Sequence, residues 1–283
     1  MAAHNSGDEL SRLALSVEAG SKQGRTPAAD SQESLRLRVS DEEWQARVDL
    51  AAAFRLVALF GWDDLVFTHL SVRIPGPEHH FLINPYDLLF EEVTASSLVK
   101  INVEGEPVEE TPYLVNAAGF TIHSAVHMAR EDAKAVIHLH TRCGQAVSGM
   151  EDGLLPLTQT AMIAHHDLAF HEYEGIATDL DERERLVRDL GDKNLMLLRN
   201  HGTLAVGESM AVAFSRMYFL ERACEAQVAM LSAGADRLHE PPLGVRDKVR
   251  EQSRPATMRM AGERLIWPAL LRKLDRLDPS YRT

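Results

Sequence analysis

Two histidines one residue apart, with a third in a tight turn, are the residues of this sequence best placed to bind a metal ion. His138 and His140 stand in the apolar run Ala135–His140, which predicts a strand. Because strand side chains alternate between faces, the two imidazoles share a face, ~7 Å apart at Cα for a rise of ~3.4 Å per residue. His201 follows the apolar run Asn194–Leu198, in a turn that can direct a side chain into a cleft. Three histidines leave one coordination position for water or substrate, which is typical of a catalytic metal site.

The same pattern has a second interpretation. A half-buried strand can carry two solvated histidines, and a histidine pair with one residue between occurs often by chance. The 13 histidines of the chain favour the metal site, because most of them lie between His69 and His201.

Composition restricts the other classes of function. The chain has 283 residues, is 45% hydrophobic and carries a formal net charge of −12. An acidic surface repels a phosphate backbone, so we expect no nucleic-acid partner. Neither a bilayer-spanning run of ~18 apolar residues nor a secretory signal is visible, so we expect no membrane insertion. Cys143 and Cys224 are the only cysteines, which predicts reduced thiols in a cytoplasmic protein.

Capping residues and apolar periodicity divide the chain into three parts. We predict a flexible tail over residues 1–39, a folded domain over residues 40–235 and a C-terminal helical extension over residues 236–283. Ser40 and Glu43 form a capping box, and Gly61 ends the helix that they begin. The other predicted elements are helices over Val115–Arg130 and Ser209–Leu231, a last helix containing Trp267, and strands over His69–Ile74, His80–Asn84, Leu98–Val103, Ala135–His140, Asn194–Leu198 and Thr203–Val206. Short, hairpin-like strands favour a layered α/β fold with a mostly antiparallel or mixed sheet.

The helix before the H-x-H strand has one plausible buried stripe. Helical spacing predicts that Ala118, Ile122, Ala125 and Met128 face the core.

Several motifs in order carry a resemblance to a known family. The runs AKAVIHLHT and LRNHG, with the earlier FTHLSVR and FLINP, resemble the class II aldolase/adducin family over roughly Glu43 to Leu231. The C-terminal run LIWPALLRKLDRLDPSYR is similar to the tail of the bacterial adducin-like branch.

The resemblance implies a fold, a cofactor and an assembly. The fold is a three-layer α/β/α arrangement around a central sheet. The cofactor is one divalent metal ion per subunit on His138, His140 and His201, with Zn²⁺ as first choice and Fe²⁺ or Mn²⁺ as alternatives. The assembly is a homo-oligomer, commonly a tetramer, with active sites near subunit interfaces and a small molecule as substrate.

Two departures from the sugar aldolases of this family bear on the substrate. Those enzymes place a metal-binding, acid/base glutamate at the start of the helix before the H-x-H strand, and Gly119 stands at that position here. They also bind phosphate with a Thr-Gly-type turn, which here reads Asn84–Pro85–Tyr86–Asp87, and Asp87 would repel a phosphate. We therefore expect a non-phosphorylated substrate and a different proton-transfer residue.

Histidines near Gly119 are the candidates to replace the glutamate. His123 and His127 follow it by one and two turns on the same helix face. We predict His123 and His69 as catalytic residues, although packing of the helix would equally explain His123 and His127. The predicted substrate contacts are Asn84, Phe120, His127, Arg199 and His171. Arg199 could instead form an internal ion pair, and His171 lies in the polar segment 164–175, which we predict as a loop lining the cleft.

The sequence is compatible with three functions. The first is a metal-dependent lyase that cleaves or decarboxylates a non-phosphorylated keto or hydroxy carbonyl compound. The second is an iron(II)-dependent oxygenase that oxidatively decarboxylates an aromatic 2-oxo or 2-hydroxy acid, as an aminocoumarin-pathway relative does. The third is a non-catalytic assembly protein, as in adducin.

Overall fold

A seven-stranded mixed sheet organises the fold. The computed structural model describes residues 35–115, 117–175 and 181–283, and it describes only the backbone of residues 117–121 and 243. The strands are β1 His69–Arg73, β2 Phe81–Ile83, β3 Val99–Ile101, β4 Ala135–Leu139, β5 Leu168–His171, β6 Leu195–Leu198 and β7 Gly202–Gly207. Their order is β3-β2-β1-β4-β7-β6-β5, and all neighbours are antiparallel except β5 and β6. The predicted mostly antiparallel, mixed sheet is confirmed.

Helices connect the strands and follow them. They are α1 Asp41–Leu59, α2 Ala117–Ala129, α3 Arg142–Ser148, α4 Gln159–His165, α5 Glu182–Leu190, α6 Met210–Leu231, α7 Leu243–Gln252, α8 Pro255–Ala261 and α9 Trp267–Leu277. No helix in the described part of the chain is both long and apolar enough to cross a membrane. Residues 1–34 of the predicted tail lie outside the described residues.

Both faces of the sheet are covered, which gives three layers. On one face, Ile137 and Leu197 belong to a large apolar cluster that includes residues of α1 and α6. On the other face, Val136 and Met196 join a smaller cluster with residues of α2 and α5. The predicted three-layer α/β/α fold is confirmed.

The first helix begins and ends near the predicted residues. The Ser40 hydroxyl accepts a hydrogen bond from the Glu43 N–H at 3.1 Å, and the chain turns at Gly61 with φ +66°. The Glu43 carboxylate points inward and accepts from Arg47 and Lys100, each at 3.0 Å. The serine side of the predicted capping box is therefore present, while the glutamate serves a buried ion pair.

The buried face of α2 differs from the predicted stripe. Ile122 and Ala125 are buried as expected, but Met128 is half exposed and Val126 is fully buried. The Ala118 side chain lies outside the described residues. The buried face is shifted from the predicted one because His123 and His127 are both fully buried. A prediction based on apolar residues alone does not place histidines in the buried face.

One strand falls in a segment that the sequence assigned to a loop. Residues Leu168–His171 form the edge strand β5, parallel to β6. The loop prediction is wrong over these residues, because hydrogen bonding to the neighbouring strand decides the conformation of so short a run.

The C-terminal segment packs on α1. The Trp267 indole donates to Asp49 at 2.9 Å, and Tyr281 is fully buried in the same apolar cluster as α1 and α6. The carbonyl of Tyr281 also accepts from the Ala95 N–H at 2.9 Å. The end of the described chain thus contributes to the main core.

Candidate metal centre and adjoining histidine cluster

Three imidazoles from two parts of the chain meet beside the carboxyl end of β4. The Nε2 atom of His140 lies 3.0 Å from that of His138 and 2.9 Å from that of His201. Within the described ranges, these histidines form the one group of three or more potential ligands whose atoms lie within 4.8 Å of one another. His138 is buried and the other two are partly exposed, so the group is open on one side.

The turn between β6 and β7 brings His201 to the other two histidines. Asn200 adopts the left-handed conformation with φ +54°, which asparagine tolerates better than most residues. A Cβ on Gly202 would lie 2.3 Å from the Leu139 carbonyl oxygen, so only glycine allows β7 to approach β4 this closely. The N-H-G sequence therefore has a direct structural reason.

Hydrogen bonds fix the orientation of two of these rings. The Nδ1 atom of His138 lies 3.0 Å from the Thr203 carbonyl oxygen, and that of His140 lies 3.1 Å from Asp64 Oδ2. Carbonyl and carboxylate oxygens only accept, so both Nδ1 atoms carry a hydrogen, and each ring in its neutral form presents an Nε2 lone pair. Lone pairs 3.0 Å apart repel each other unless a cation or a proton lies between them. The donor set therefore fits a divalent metal ion.

Burial keeps two of these rings, those of His138 and His201, neutral. It lowers the pKa of His138 well below the ordinary value of 6.5, and the neighbouring imidazoles lower it further. Burial, with His140 as the second cause, lowers the pKa of His201 to about 4. Near pH 7 the lone pairs are thus available to a metal.

Asp64 was not predicted from the sequence. It lies in the loop between α1 and β1 and precedes His140 by 76 residues, and its side chain is 44% exposed. No motif marks it. The adjacent acidic pair Asp63 and Asp64 after Gly61 was the only available signal.

A second group of histidines adjoins the first on the same face of the sheet. His69 in β1 pairs directly with His138 in β4, and the centres of their rings lie 5.5 Å apart. The ring of His69 also lies 4.4 Å from that of His123 on α2. The structure thus brings both predicted catalytic residues next to the candidate metal ligands, and their catalytic roles stay a prediction.

His123 is fully buried and has one unpaired nitrogen. Its Nδ1 atom lies 2.6 Å from Ser71 Oγ, whereas its Nε2 atom has no hydrogen-bond partner among the described residues. Burial lowers the pKa of His123 well below 6.5, and the nearby His69, His127 and His138 add to this effect. A neutral imidazole with a free lone pair can accept a proton.

His127 is packed inside the protein, which is the alternative that the sequence left open beside a substrate contact. It is fully buried, its Nε2 lies 2.7 Å from Ser71 Oγ, and its Nδ1 lies 2.6 Å from the Ala133 carbonyl oxygen. Its ring also stacks on Phe81 at 4.8 Å. Both nitrogens are occupied inside the protein, so the geometry does not support the predicted substrate contact.

Arg199 and His171 lie outside the histidine groups. Arg199 donates to the Met150 carbonyl at 2.6 Å, and its guanidinium lies over the Phe170 ring at 4.6 Å. His171 is buried, with Nδ1 2.8 Å from Asp189 and Nε2 3.4 Å from Glu182. These internal partners do not support the predicted substrate contacts at either residue.

The two remaining predicted substrate contacts stay predictions. Asn84 is buried after β2, its amide donates to the Pro85 carbonyl at 3.1 Å, and its Oδ1 has no partner among the described residues. The side chain of Phe120 lies outside the described residues.

A buried carboxyl group on α6 supports the metal centre from the opposite face of the sheet. Glu221 is fully buried and accepts from Thr141 Oγ1 at 2.5 Å and from Thr203 Oγ1 at 2.8 Å. Thr141 follows His140, and the carbonyl of Thr203 binds His138. Burial raises the pKa of Glu221 to about 7. The sequence signal for Glu221 was an acidic residue inside the apolar stripe of a long helix.

Comparisons with known proteins agree with this geometry. Residues 48–228 match the family model described as "Class II Aldolase and Adducin N-terminal domain". A Caulobacter vibrioides protein, provisionally named as a class 2 aldolase, is 59% identical over 248 residues, which are 88% of this chain and 96% of that protein. Mouse alpha-adducin is 42% identical over 91% of this chain, but the match spans only 36% of the adducin. The solved structure of L-fuculose 1-phosphate aldolase from Glaciozyma antarctica PI12 is 26% identical in sequence with a TM-score of 0.74, and the match covers 92% of this chain and 97% of the aldolase.

Proposed function

This chain belongs to the class II aldolase and adducin family, and from that premise we propose that it is a divalent-metal-dependent lyase. The proposed substrate is a non-phosphorylated keto or hydroxy carbonyl compound, cleaved by retro-aldol reaction or decarboxylation. The convergence of three Nε2 atoms, two of them held as lone pairs, is the observation that carries the proposal.

In the proposed mechanism each residue near the centre has a separate task. His138, His140 and His201 would hold the ion, which when bound would polarise the substrate oxygen and stabilise an enolate. Asp64 and the Thr203 carbonyl orient the imidazoles through their Nδ1 atoms. In the retro-aldol reaction His123 accepts the proton that the substrate hydroxyl loses when the C–C bond breaks. The ring of His69 lies 4.4 Å from that of His123 and 5.5 Å from that of His138.

Two sequence features support a substrate without phosphate. Gly119 supplies no carboxylate at the family's acid/base position. Asp87 is an exposed residue in the turn that binds phosphate in sugar-phosphate members, and its negative charge would repel that group.

Metal content in a set of variants tests the proposal. Purified protein should contain one ion per chain by elemental analysis, with Zn²⁺ as first choice, and His201→Ala should contain almost none. Asp64→Asn should keep the site but weaken zinc binding about 10- to 100-fold in a chelator competition, because its partner His140 loses orientation. Asp63→Asn and the exposed His239→Ala are the matched controls and should behave as wild type.

Activity decides the reaction class. Chelator should abolish cleavage or decarboxylation of hydroxy-ketones and keto acids, and added metal should restore it. Lyase activity that survives in metal-free protein, or in His201→Ala, would refute the proposal.

The iron-dependent oxygenase is the second candidate. The group of three imidazoles includes no carboxylate, and imidazole ligands also suit iron(II). Oxygen consumption by the iron-loaded protein with an aryl-pyruvate would favour this function over the lyase. The non-catalytic alternative, which the similarity to adducin supports, predicts purified protein without stoichiometric metal.

We also propose a cytoplasmic homotetramer, with the folded domain over 40–235 and its C-terminal extension in each subunit. Leu65 and Phe67, which follow Asp64 in the chain, are 61% and 53% exposed, and exposed apolar side chains of this kind are commonly covered by a neighbouring subunit. The two free cysteines are compatible with a reducing compartment. Light scattering of the purified protein would measure the number of subunits.

A further inference from the structure

A chain of hydrogen bonds runs from the backbone to His123 and begins at the Ala133 carbonyl. A carbonyl only accepts, so His127 Nδ1, 2.6 Å away, must donate. His127 is fully buried with no carboxylate partner among the described residues, and burial lowers its pKa to about 3. The ring is therefore neutral near pH 7, and its Nε2 atom carries a lone pair.

Ser71 passes this constraint to His123. Its hydroxyl has one hydrogen, which it donates to the lone pair of His127 Nε2 at 2.7 Å. The same oxygen can then only accept at its second short contact, from His123 Nδ1 at 2.6 Å. The hydrogen of neutral His123 thus lies on Nδ1, and its Nε2 is left as a lone pair.

We propose that Ser71 and His127 are positioning residues that hold His123 in the Nδ1–H tautomer, so that its Nε2 atom is the proton acceptor. An imidazole without such partners populates both tautomers, and the bond made by one nitrogen decides the state of the other. In the Nε2–H tautomer His123 could not accept a proton at that atom. The role of His123 as the base rests on the proposed lyase function, while its tautomer does not.

Proton transfer to His123 requires no change in the hydrogen bonds that join His123, Ser71 and His127. A proton leaves the substrate with its bonding electrons staying on the substrate, and it forms an N–H bond at His123 Nε2. The Nδ1–H of the resulting imidazolium still donates to Ser71, and the hydrogens of Ser71 and His127 stay where they were. The proton returns from Nε2 to the product in a later step.

Nitrogen NMR of the zinc-loaded, full-length protein tests the tautomer directly. In ¹⁵N-histidine-labelled wild type, His123 should show a protonated-type shift at Nδ1 and an unprotonated-type shift at Nε2, and His127 should show the same pattern. Loss of signals in His123→Gln assigns the resonances. A wild-type His123 in the Nε2–H form would overturn the proposal.

Variants of Ser71 separate positioning from packing. Ser71→Ala should move His123 toward the Nε2–H form or a mixture, and Ser71→Thr, which keeps the hydroxyl, should retain the wild-type pattern. Ser215→Ala removes another buried hydroxyl, one that donates to the Ala211 carbonyl at 2.7 Å, and should leave the His123 shifts unchanged. An unchanged tautomer in folded Ser71→Ala would also contradict the proposal.

Kinetics distinguish failure of this proposal from failure of the proposed function. Once a substrate is found, Ser71→Ala should lower kcat about 10- to 100-fold at little-changed KM, with recovery in Ser71→Thr. A fixed tautomer in a protein without lyase activity would refute the function and leave the positioning intact. Full lyase activity in Ser71→Ala would refute the catalytic value of the positioning while the function stands.

Discussion

Single side chains around the metal centre act mainly by fixing the protonation of their neighbours. Asp64 and the Thr203 carbonyl each hold a hydrogen on the Nδ1 atom of a candidate ligand, and Ser71 does so for His123. Their effect should appear in metal affinity and tautomer state more than in folding stability.

Glu221 is expected to lower the stability of the folded protein as the pH rises. Its pKa is about 7 in the folded protein against an ordinary value of 4.5, so the folded state binds the proton more tightly. As pH rises from about 4.5 to 7, folding therefore loses free energy, on the order of 3 kcal/mol. Glu221→Gln, an uncharged mimic of the protonated form, should lack this loss and be more stable than wild type at pH 8.

Urea unfolding of metal-free protein at pH 5 and pH 8 measures this difference. Glu251→Gln, which removes an exposed carboxylate on α7 and leaves Glu221 in place, is the control and should retain the wild-type difference between the two pH values. Equal pH slopes in wild type and Glu221→Gln would show that Glu221 is already ionised at low pH.

Among the elements, β7 and β4 determine the position of His201, because Gly202 at the start of β7 lies close to the backbone of β4. In Gly202→Ala the new Cβ would meet the Leu139 carbonyl oxygen at 2.3 Å, and backbone atoms in the centre of a sheet cannot move aside cheaply. We expect a loss of about 2–4 kcal/mol in the free energy of unfolding, together with loss of metal binding as His201 is displaced.

A matched glycine on α7 provides the control. A Cβ on Gly244 would meet nothing within 4 Å, and Gly244 has no positive φ. Gly244→Ala should therefore be neutral or stabilise the helix by up to ~1 kcal/mol. Wild-type stability and metal content in Gly202→Ala would contradict the geometry of the turn.

Elements whose signals are local could be predicted from the sequence. The Ser40 cap, the turn at Gly61 and the Ser209 cap of α6 depend on neighbouring residues, and each lies where expected. The edge strand Leu168–His171 could not be predicted, because its pairing with β6 decides its conformation. The shifted buried face of α2 was missed because two buried histidines interrupt the apolar stripe.

The candidate site also combines features that local sequence predicts with features that it does not predict. The H-x-H alternation and the N-H-G turn are local, and the structure places their three histidines together. The contributions of Asp64, Ser71 and Glu221 depend on residues 52 to 80 positions away, at distances that one sequence does not encode.

For the whole molecule, the buried histidines predict unfolding in acid. The pKa values of His123 and His127 lie well below 6.5 in the folded state, so the unfolded chain binds more protons as pH falls below 6.5. For each pH unit below 6.5, each ring then lowers the free energy of unfolding by ~1.4 kcal/mol. The two rings together outweigh the opposing effect of Glu221. Stability should be highest near pH 6–7 and fall steeply toward pH 4.

Proton uptake during unfolding checks this expectation. Between pH 5 and 6, the pH slope of the unfolding free energy should correspond to uptake of at least one net proton, and the slope should increase below pH 4.5. His127→Phe should reduce the slope by about one proton, whereas replacing the exposed His239 should not. A slope of zero below pH 6 would mean that the buried rings are already charged in the folded state.

The central position of β4 has a consequence for biosynthesis. This strand pairs with β1 on one side and β7 on the other, and the carbonyl that orients His138 comes from a residue 65 positions later in the chain. During translation, a nascent chain that has emerged only through β6 can form the first hairpins but has neither His201 nor that carbonyl. The complete set of three imidazoles therefore exists only after β7 has been synthesised, so the metal ion proposed for this site would join the chain late, once the other strands have emerged.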